Sequence, residues 1–256
     1  MTEIDVDREG PRATVTIRNP ERRNAIDTAA CEELAGHLRS LAAADDVRVV
    51  VLRGAGAHFC SGIDLAGGFD GDGVAAELET GLHAVARALV RAPVPTVAAV
   101  RGNAEGAGAA IATACDFVYA EASAEFGWGF TNIGLAPDTG ATYVLPRLVG
   151  VRRALDLLVT GRRIDAATAA EWGIATETVP DAEFEAIVDE RTAMLAARPT
   201  AAVGELKRLV YRGTHRSLEE TLRGEARAQE RLVRTDDFAE GVAAFFADRD
   251  PEFTGR

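Results

Sequence analysis

The sequence lacks an excess of basic residues: 28 Lys and Arg stand against 40 Asp and Glu, giving a formal charge of −12 and an isoelectric point near 4.9. Sequence-independent binding to nucleic acid needs a basic surface that displaces the counterions of the phosphates. The charge balance therefore argues against a nucleic-acid partner. An anionic ligand would have to be held by a local group of basic side chains.

Long apolar runs are absent as well. No segment approaches the roughly 20 consecutive apolar residues that cross a bilayer. The first residues, Met1 to Asp5, provide neither the basic nor the apolar region of a secretory leader. We therefore expect no membrane span and a cytoplasmic location.

Cysteine is scarce, and its three copies, Cys31, Cys60 and Cys115, form no CxxC pair. An odd number without close pairs predicts neither a disulfide framework nor a zinc site. We expect no bound metal and interpret the cysteines as small buried side chains.

What the sequence does contain is enough apolar material for a full core: 47% of 256 residues are hydrophobic, against 27% charged. Short apolar runs predict strands, and repeats spaced at three and four residues predict helices. The predicted strands are 13–17, 47–52, 96–100 and 117–120, and the predicted early helices are 28–44 and 75–91.

The later segments carry helix-start signals. Asp165 resembles an N-cap, Asp181 opens another helix, and Ser217 with Glu220 fits a capping box. Strands thus fill the first half and helices the second. This order predicts the α/β class, with a core over residues 1–195 followed by a helical region over 196–256. Between the two early helices, the glycine-rich stretch 67–73 is predicted to be a mobile loop.

Two of the predicted strands run directly into glycine-rich turns, at 54–65 and at 102–109. Small residues after a strand let the backbone approach a ligand, and the N–H groups that open the next helix favour negative charge. A phosphate loop is disfavoured because neither turn contains Gly-Lys-Ser/Thr or GxGxxG. A serine nucleophile at Ser61 is disfavoured because the GxSxG elbow would need glycine where Phe59 stands. Tight packing without any ligand stays open for either turn alone.

Taken together, these segments resemble the crotonase superfamily, which contains the enoyl-CoA hydratases and isomerases. The matching motifs follow one another along nearly the whole chain: NPERRNAI at 19–26, FCSGIDL at 59–65, GNAEGAGAAIATACD at 102–116, IGLAPDTG at 133–140, LPRLVG at 145–150, EGVAAFF at 240–246 and FTGR at 253–256.

The resemblance implies a spiral of ββα turns with a C-terminal helical region used in trimer formation, and often a hexamer of two trimers. It also implies an acyl-CoA thioester as substrate, with coenzyme A entering as part of the substrate and no separate cofactor. Members hold the developing enolate oxygen with two backbone N–H groups. Matched by position, these donors are Ile63 and Ala107, the latter replacing a glycine of most relatives.

The sequence departs from the hydratases at the acid and base. Their two glutamates match Ala110 and Phe130, which cannot carry a proton. Some relatives instead place an aspartate after the Gly-Leu/Ile-x-Pro turn, and Asp138 occupies that position. One carboxylate suffices for a double-bond shift, in which it removes a proton from one carbon and returns it to another. A helix-cap or turn role for Asp138 stays open.

Further substrate contacts are implied by the same resemblance. The predicted substrate-binding residues are Arg23, Ala25, Ser61, Asp64, Leu65, Phe130, Lys207 and Phe246. The segment after Asp138 also resembles the aryl-CoA dehalogenases, but these have tryptophan at Phe130 and histidine at Arg87. His83, one helical turn earlier, is the nearest histidine in the sequence.

The prediction is therefore an acyl-CoA enzyme that isomerises an enoyl-CoA, with Asp138 as the base and the amides of Ile63 and Ala107 as the oxyanion hole. A ring opening on a CoA ester by a similar proton shift is the same chemistry. Two alternatives stay open: a hydratase of atypical mechanism, and a catalytically silent acyl-CoA binding protein.

Overall fold

The computed structural model describes residues 1–65 and 72–255. Its strands are β1 (Glu3–Glu9), β2 (Arg12–Arg18), β3 (Val49–Gly54), β4 (Thr96–Val100), β5 (Asn103–Glu105), β6 (Phe117–Glu121), β7 (Glu125–Gly127), β8 (Arg163–Asp165) and β9 (Glu177–Val179). Its α-helices are α1 (Thr28–Ala42), α2 (Val74–Thr80), α3 (Leu82–Arg91), α4 (Ala107–Ala114), α5 (Ala141–Thr160), α6 (Ala166–Glu171), α7 (Phe184–Ala196), α8 (Thr200–Gly213), α9 (Leu218–Leu232) and α10 (Asp236–Ala247).

Two sheets organise the core. The larger has the order β1-β2-β3-β4-β6-β9, and all of its neighbours are parallel except β1 and β2. The smaller has the order β5-β7-β8. Because β4 continues into β5 and β6 into β7, the chain alternates between the sheets. The predicted α/β class is confirmed.

The central strands are buried on both faces, since successive side chains of a strand point to opposite sides. Val50 and Leu52 face the large core that contains α1, α3 and α4. Val49 and Val51 face a second cluster beneath α7. This double burial explains why the strands read as continuous apolar runs.

Several predicted boundaries shift. The predicted helix 75–91 is two helices, broken at Gly81. A Cβ on Gly81 would lie 3.2 Å from Cβ of Cys31 and 3.0 Å from the Glu77 carbonyl oxygen, so α1 and α2 close on this glycine. Asp181 opens only a 3-10 turn, and its carboxylate accepts from the Ser123 amide instead of capping α7.

The end of the chain is helical, as predicted. The Asp165 N-cap and the Ser217–Glu220 capping box are both present. The trimer predicted for this region stays a prediction. Residues 67–71 of the predicted loop 67–73 lie outside the described residues. Of the helices in the described part, none is long and apolar enough to span a bilayer.

Candidate active site

The two glycine-rich turns lie side by side. The Phe59 amide donates to the Asn103 carbonyl at 3.1 Å, and the Glu105 amide donates to the Cys60 carbonyl at 2.9 Å. A parallel bridge joins Cys60 to Ala104. These bonds hold the segment before Ile63 against the segment before Ala107.

Glycine is required where the turns meet. A Cβ on Gly108 would lie 2.2 Å from the carbonyl oxygen of Cys60, far inside any real contact. Gly62 has φ +93, and a Cβ on it would lie 3.3 Å from the amide nitrogen of Ala107. The first turn therefore lies directly against the amide that opens α4.

The amides of Ile63 and Ala107 are available to a ligand. Ile26 and Ile63 form a parallel β-bridge. Both hydrogen bonds of this bridge involve Ile26, whose N–H donates to the Gly62 carbonyl and whose carbonyl accepts from the Asp64 amide. This pattern turns the Ile63 N–H away from Ile26. Ala107 is the first residue of α4, where an N–H has no acceptor within the helix. Neither amide has a hydrogen-bond acceptor among residues 1–65 and 72–255.

The Asn24 side chain holds the first glycine-rich turn, 54–65, in place. Its fully buried side-chain amide donates to the carbonyls of Ala55 and His58, at 2.9 and 2.6 Å, and its oxygen accepts from the Asn19 amide. The sequence placed Asn24 in a matching motif without giving it a role. Its buried hydrogen bonds show that it positions the loop that carries the Ile63 donor.

Asp138 lies at the start of α5, half-buried. Burial raises the pKa of its carboxyl, whereas a 2.7 Å hydrogen bond from the Thr139 hydroxyl opposes this rise. Thr139 is itself fully buried and has φ +54, a conformation that costs a β-branched residue about 1 to 3 kcal/mol. Strain of this kind is typical of functional sites. No pattern in the sequence indicated a role for Thr139.

Asp138 shares surroundings with the first turn. The buried Cys31 thiol of α1 is within electrostatic range of both Cys60 and Asp138. Gly140 packs on α3, since a Cβ on it would lie 3.9 Å from Cβ of Ala86. The segment that carries Asp138 therefore lies against α3, and its carboxylate is within electrostatic range of α1.

His83 of α3 also acts on Asp138, because a positive charge on it lowers the pKa of that carboxyl. Its Nδ1 lies 3.0 Å from the Glu79 carboxylate. Glu79 also accepts from Arg87 at 2.8 Å, and these contacts, with His83 the stronger, lower the pKa of Glu79. From the sequence, His83 had no partner. In the structure it contacts the Glu79 carboxylate on one side and acts electrostatically on Asp138 on the other.

The cysteines are free and buried, as predicted. Burial raises the pKa of Cys60 to about 12, so its thiol stays protonated near neutral pH and is a poor nucleophile.

Of the substrate-binding residues predicted near the first turn, some have side chains bonded within the chain and others do not. The Arg23 side chain is exposed and makes no ion pair or hydrogen bond with the described residues, so it is available for a phosphate. Ser61 is engaged, as its hydroxyl donates to the Arg22 carbonyl at 3.0 Å. The Asp64 carboxylate accepts from Arg22 at 2.5 Å. Both contacts brace the loop, and Leu65 beyond them is exposed.

Ala25 does not offer a backbone group to substrate. Its amide donates to the Arg22 carbonyl, and its carbonyl accepts from the Thr2 hydroxyl at 2.7 Å and from Asn19 at 3.2 Å. With only 7% exposure, it serves the packing of the turn. The predicted substrate contact at Ala25 stays a prediction.

The Lys207 side chain is engaged within the chain. This residue, the only lysine of the sequence, is buried on α8. Its ammonium lies 2.6 Å from the Asp116 carboxylate, 3.0 Å from the Val94 carbonyl and 3.3 Å from the Leu89 carbonyl. An ammonium has three N–H donors, and all three have protein acceptors. Lys207 thus ties α8 to the core, and its predicted substrate contact stays a prediction.

We expect Lys207→Met to lower the free energy of unfolding by about 3 to 5 kcal/mol, because it leaves Asp116 buried without its cation. Urea denaturation measures this change. The double variant Lys207→Met/Asp116→Asn removes the stranded charge and should recover part of the loss. A single-variant loss under about 1 kcal/mol would show that the pair is not structural.

The two predicted aromatic contacts lie in different surroundings. Phe130 is buried in the large core, within a 3-10 turn that spans Gly129–Ile133. Phe246 on α10 is 82% exposed and meets Phe245 edge to face at 5.6 Å between ring centroids. Within this chain the Phe246 ring is far from burial, so its predicted substrate contact stays a prediction.

A cavity of about 1400 Å³ borders Thr139 and Gly140 and runs between α3, α5, α8 and α9. Ala86 and Val90 line it from α3, and Tyr143 from α5. The residues that line it do not include Ile63, Ala107 or Asp138. The cavity therefore adjoins the site on the α5 side and does not contain the two amides.

Comparison with known proteins is consistent with this geometry. Residues 9–256 match the family model described as enoyl-CoA hydratase/isomerase. The chain belongs to that family. A probable enoyl-CoA hydratase from Rhodobacter capsulatus is 43% identical over 250 residues, covering 95% of each chain. The 1,2-epoxyphenylacetyl-CoA isomerase of Escherichia coli is 36% identical over 248 residues, again covering 95% of each chain.

The fold of the family is shared throughout the chain. The crystal structure of an enoyl-CoA hydratase from Bacillus anthracis superposes with a TM-score of 0.93 at 33% identity, covering 99% of each chain. The relatives of this chain thus include proteins named as hydratases and a protein named as an isomerase. Membership alone does not choose between the two reactions.

Proposed function

We propose that this protein is an enoyl-CoA isomerase, in which Asp138 moves a proton and the amides of Ile63 and Ala107 hold the thioester oxygen. The observation that carries the proposal is that two adjoining turns offer amides without acceptors, in a chain whose half-buried Asp138 carboxylate has its pKa raised by burial. Ala110 is buried in α4 and Phe130 in the core, so neither hydratase glutamate position holds a proton carrier.

In the proposed reaction, Asp138 removes a proton from the carbon next to the thioester of a β,γ-unsaturated acyl-CoA. The electron pair of the broken C–H bond moves into the carbonyl, and the two amides stabilise the negative oxygen. Asp138 then returns the same proton to the γ-carbon, which leaves the double bond conjugated with the thioester. Atoms and charge balance without an added cofactor, since coenzyme A is part of the substrate.

The magnitudes support this division of work. Losing one oxyanion donor costs about 2.7 to 4 kcal/mol in enzymes where it has been removed, so two donors supply much of the stabilisation. An ordinary aspartate, with a pKa of about 3.9, is a weak base near neutral pH. Burial raises the pKa of Asp138, which brings its basicity closer to the working range.

A ring opening on a CoA ester is a second candidate with the same base and the same amides. The relationship to an epoxyphenylacetyl-CoA isomerase favours it. The 43% identical relative named as a probable hydratase keeps hydration as a third candidate. A homotrimer or hexamer, and a cytoplasmic location, are further parts of the proposal.

One experiment separates these reactions. The purified protein is incubated with 3-enoyl-CoA, 2-enoyl-CoA and epoxyphenylacetyl-CoA esters in ¹⁸O-labelled water. An isomerase forms conjugated thioester without a gain in mass, whereas a hydratase incorporates the label. Binding of every ester without turnover would contradict the proposal and support a silent binding protein.

The Thr139 hydroxyl gives a prediction about pH. Thr139→Val keeps the shape of the side chain but removes the 2.7 Å hydrogen bond to the Asp138 carboxylate. That bond lowers the pKa of Asp138, so its loss raises the pKa further. As the pH is lowered, the base is then protonated earlier, and activity begins to fall at a higher pH than in the original protein. The acid limb of the kcat/KM profile should therefore move to higher pH. A limb that stays in place would contradict the assignment of Asp138 to it; Thr142→Val, an exposed residue on the same helix, is the control.

A further inference from the structure

Two rows of arginine face each other across a cleft between α8 and its neighbour α9. Arg208 and Arg212 lie on α8 and Arg216 just beyond it, each four residues from the next. Residues four apart share one face of a helix, so a spacing of this kind builds a row. The facing row on α9 has the same spacing and consists of Arg223, Arg227 and Arg231.

The cleft has a volume of about 370 Å³, within the range of small-ligand sites. The six arginines line it together with Gly224 and a single carboxylate, that of Glu220. Gly224 lets the helices approach, since a Cβ on it would lie 3.1 Å from Cδ2 of Leu209. The arginines therefore line a shared depression between the two helices.

Most of this charge is not neutralised within the chain. At one end of the cleft, Glu205 binds both Arg208 and Arg231, the latter at 2.7 Å. Among the described residues, Arg212, Arg216, Arg223 and Arg227 have no carboxylate within ion-pair distance. The Glu220 carboxylate does act on two of them, since its pKa is lowered by the hydrogen bonds of its capping box and further by the charges of Arg216 and Arg223. Like charges four residues apart on a helix destabilise it, and here two such rows also repel each other across the cleft.

The concentration of charge is unusual for this molecule. The chain carries 28 basic residues against 40 acidic ones, yet six of the basic residues line one small cleft with one acid. A bound polyanion would offset the repulsion.

We propose that the cleft between α8 and α9 binds a polyphosphate group, either a free polyphosphate or the phosphate-bearing end of a nucleotide. The planar guanidinium presents a fork of donors that matches phosphate oxygens two at a time. A single carboxylate has only two oxygens and one charge, whereas adjoining phosphates offer oxygens and charge to both rows. None of the six arginines is assigned to the isomerase chemistry, although four of them, Arg208, Arg212, Arg216 and Arg231, also line the large cavity next to the candidate active site.

The test uses sodium tripolyphosphate as the probe, titrated into the whole protein in a calorimeter at about 0.15 M salt. We expect binding that weakens as salt rises. Arg212→Gln/Arg227→Gln should weaken it by about tenfold or more, since each removes a charged donor without stranding a carboxylate. Arg234→Gln is the control, because Arg234 is also an exposed arginine near the end of α9 but does not line the cleft. This control should bind as the original protein does.

Two further measurements identify the source of the phosphate. If coenzyme A displaces tripolyphosphate, and the double variant raises KM for acyl-CoA without changing kcat, the cleft takes the nucleotide end of the substrate. If coenzyme A does not displace it and KM is unchanged, the cleft takes a separate polyphosphate. Both results support an anion site.

The proposal is overturned if tripolyphosphate binds more weakly than about 1 mM, or if the double variant binds it as well as the control does. It is also overturned if the cleft proves to be a contact between copies of this chain. In that case sedimentation would show the double variant dissociating into smaller species, and the assembled protein would bind no tripolyphosphate. Isomerase turnover, measured in parallel, keeps failure of this proposal distinct from failure of the proposed reaction.

Discussion

Asp138→Asn is expected to reduce isomerase turnover by a factor of about 10² to 10⁴, the usual contribution of a positioned general acid or base. Asparagine keeps the size of the side chain and can still accept the Thr139 hydrogen bond, but it cannot take a proton from carbon. Turnover of a 3-enoyl-CoA, followed by the absorbance of the conjugated thioester, measures the loss.

The binding of substrate should survive this change, because the amides of Ile63 and Ala107 are untouched. Titration with a saturated acyl-CoA checks this, and Asp45→Asn, at an exposed loop position, controls for the loss of one negative charge. The acid limb attributed to Asp138 should also disappear from any residual activity. If the Asp138 variant keeps turnover within a few-fold of the original, the proposed role is wrong.

Gly108→Ala is expected to produce the second large loss, about 10² to 10³ in kcat, by separating the two amides. The added methyl would lie 2.2 Å from the Cys60 carbonyl oxygen and 2.9 Å from Cβ of Cys60. These atoms belong to the turn that carries Ile63, so the turn must move away from α4. Losing the geometry of one oxyanion donor has this magnitude.

A matched change one residue earlier gives the control. Ala107→Gly keeps the amide donor and removes only a methyl group, so it should preserve turnover to within a few-fold. Because overpacking also destabilises a core, the unfolding free energy of Gly108→Ala is measured alongside, and kcat is compared at a temperature where both variants are folded. Equal kcat values for the two variants would contradict the assignment of the amides.

Local signals in the sequence predicted local structure well. Ser217 and Glu220 predicted a capping box because the cap involves only residues three apart. The apolar runs predicted the central strands, because strands buried on both faces exclude polar residues at every position. The ordered motifs identified the family, and with it the pair of positions, Ile63 and Ala107, that the fold brings side by side.

Signals that depend on distant partners could not be found this way. The resemblance implies a substrate contact at Lys207, but not its ion pair with Asp116, which lies 91 residues away along the chain and makes Lys207 a buried structural link. The resemblance implies a substrate contact at Ala25, but not the hydrogen bonds that its carbonyl accepts from Thr2 and Asn19. No sequence pattern predicts a left-handed threonine, so the strained Thr139 beside Asp138 was missed.

The sequence by itself determined the fold class, the family and the chemistry that each residue is able to perform: a carboxylate at 138, none at 110 or 130, and glycines where two turns must touch. Only the tertiary structure decided which groups are free to act, because contacts with other segments use up the donors of Lys207 and the carbonyl of Ala25 but leave the amides of Ile63 and Ala107 without acceptors. The physical reason is that a polar group's availability depends on its neighbours in space, and chain order specifies those neighbours only after folding.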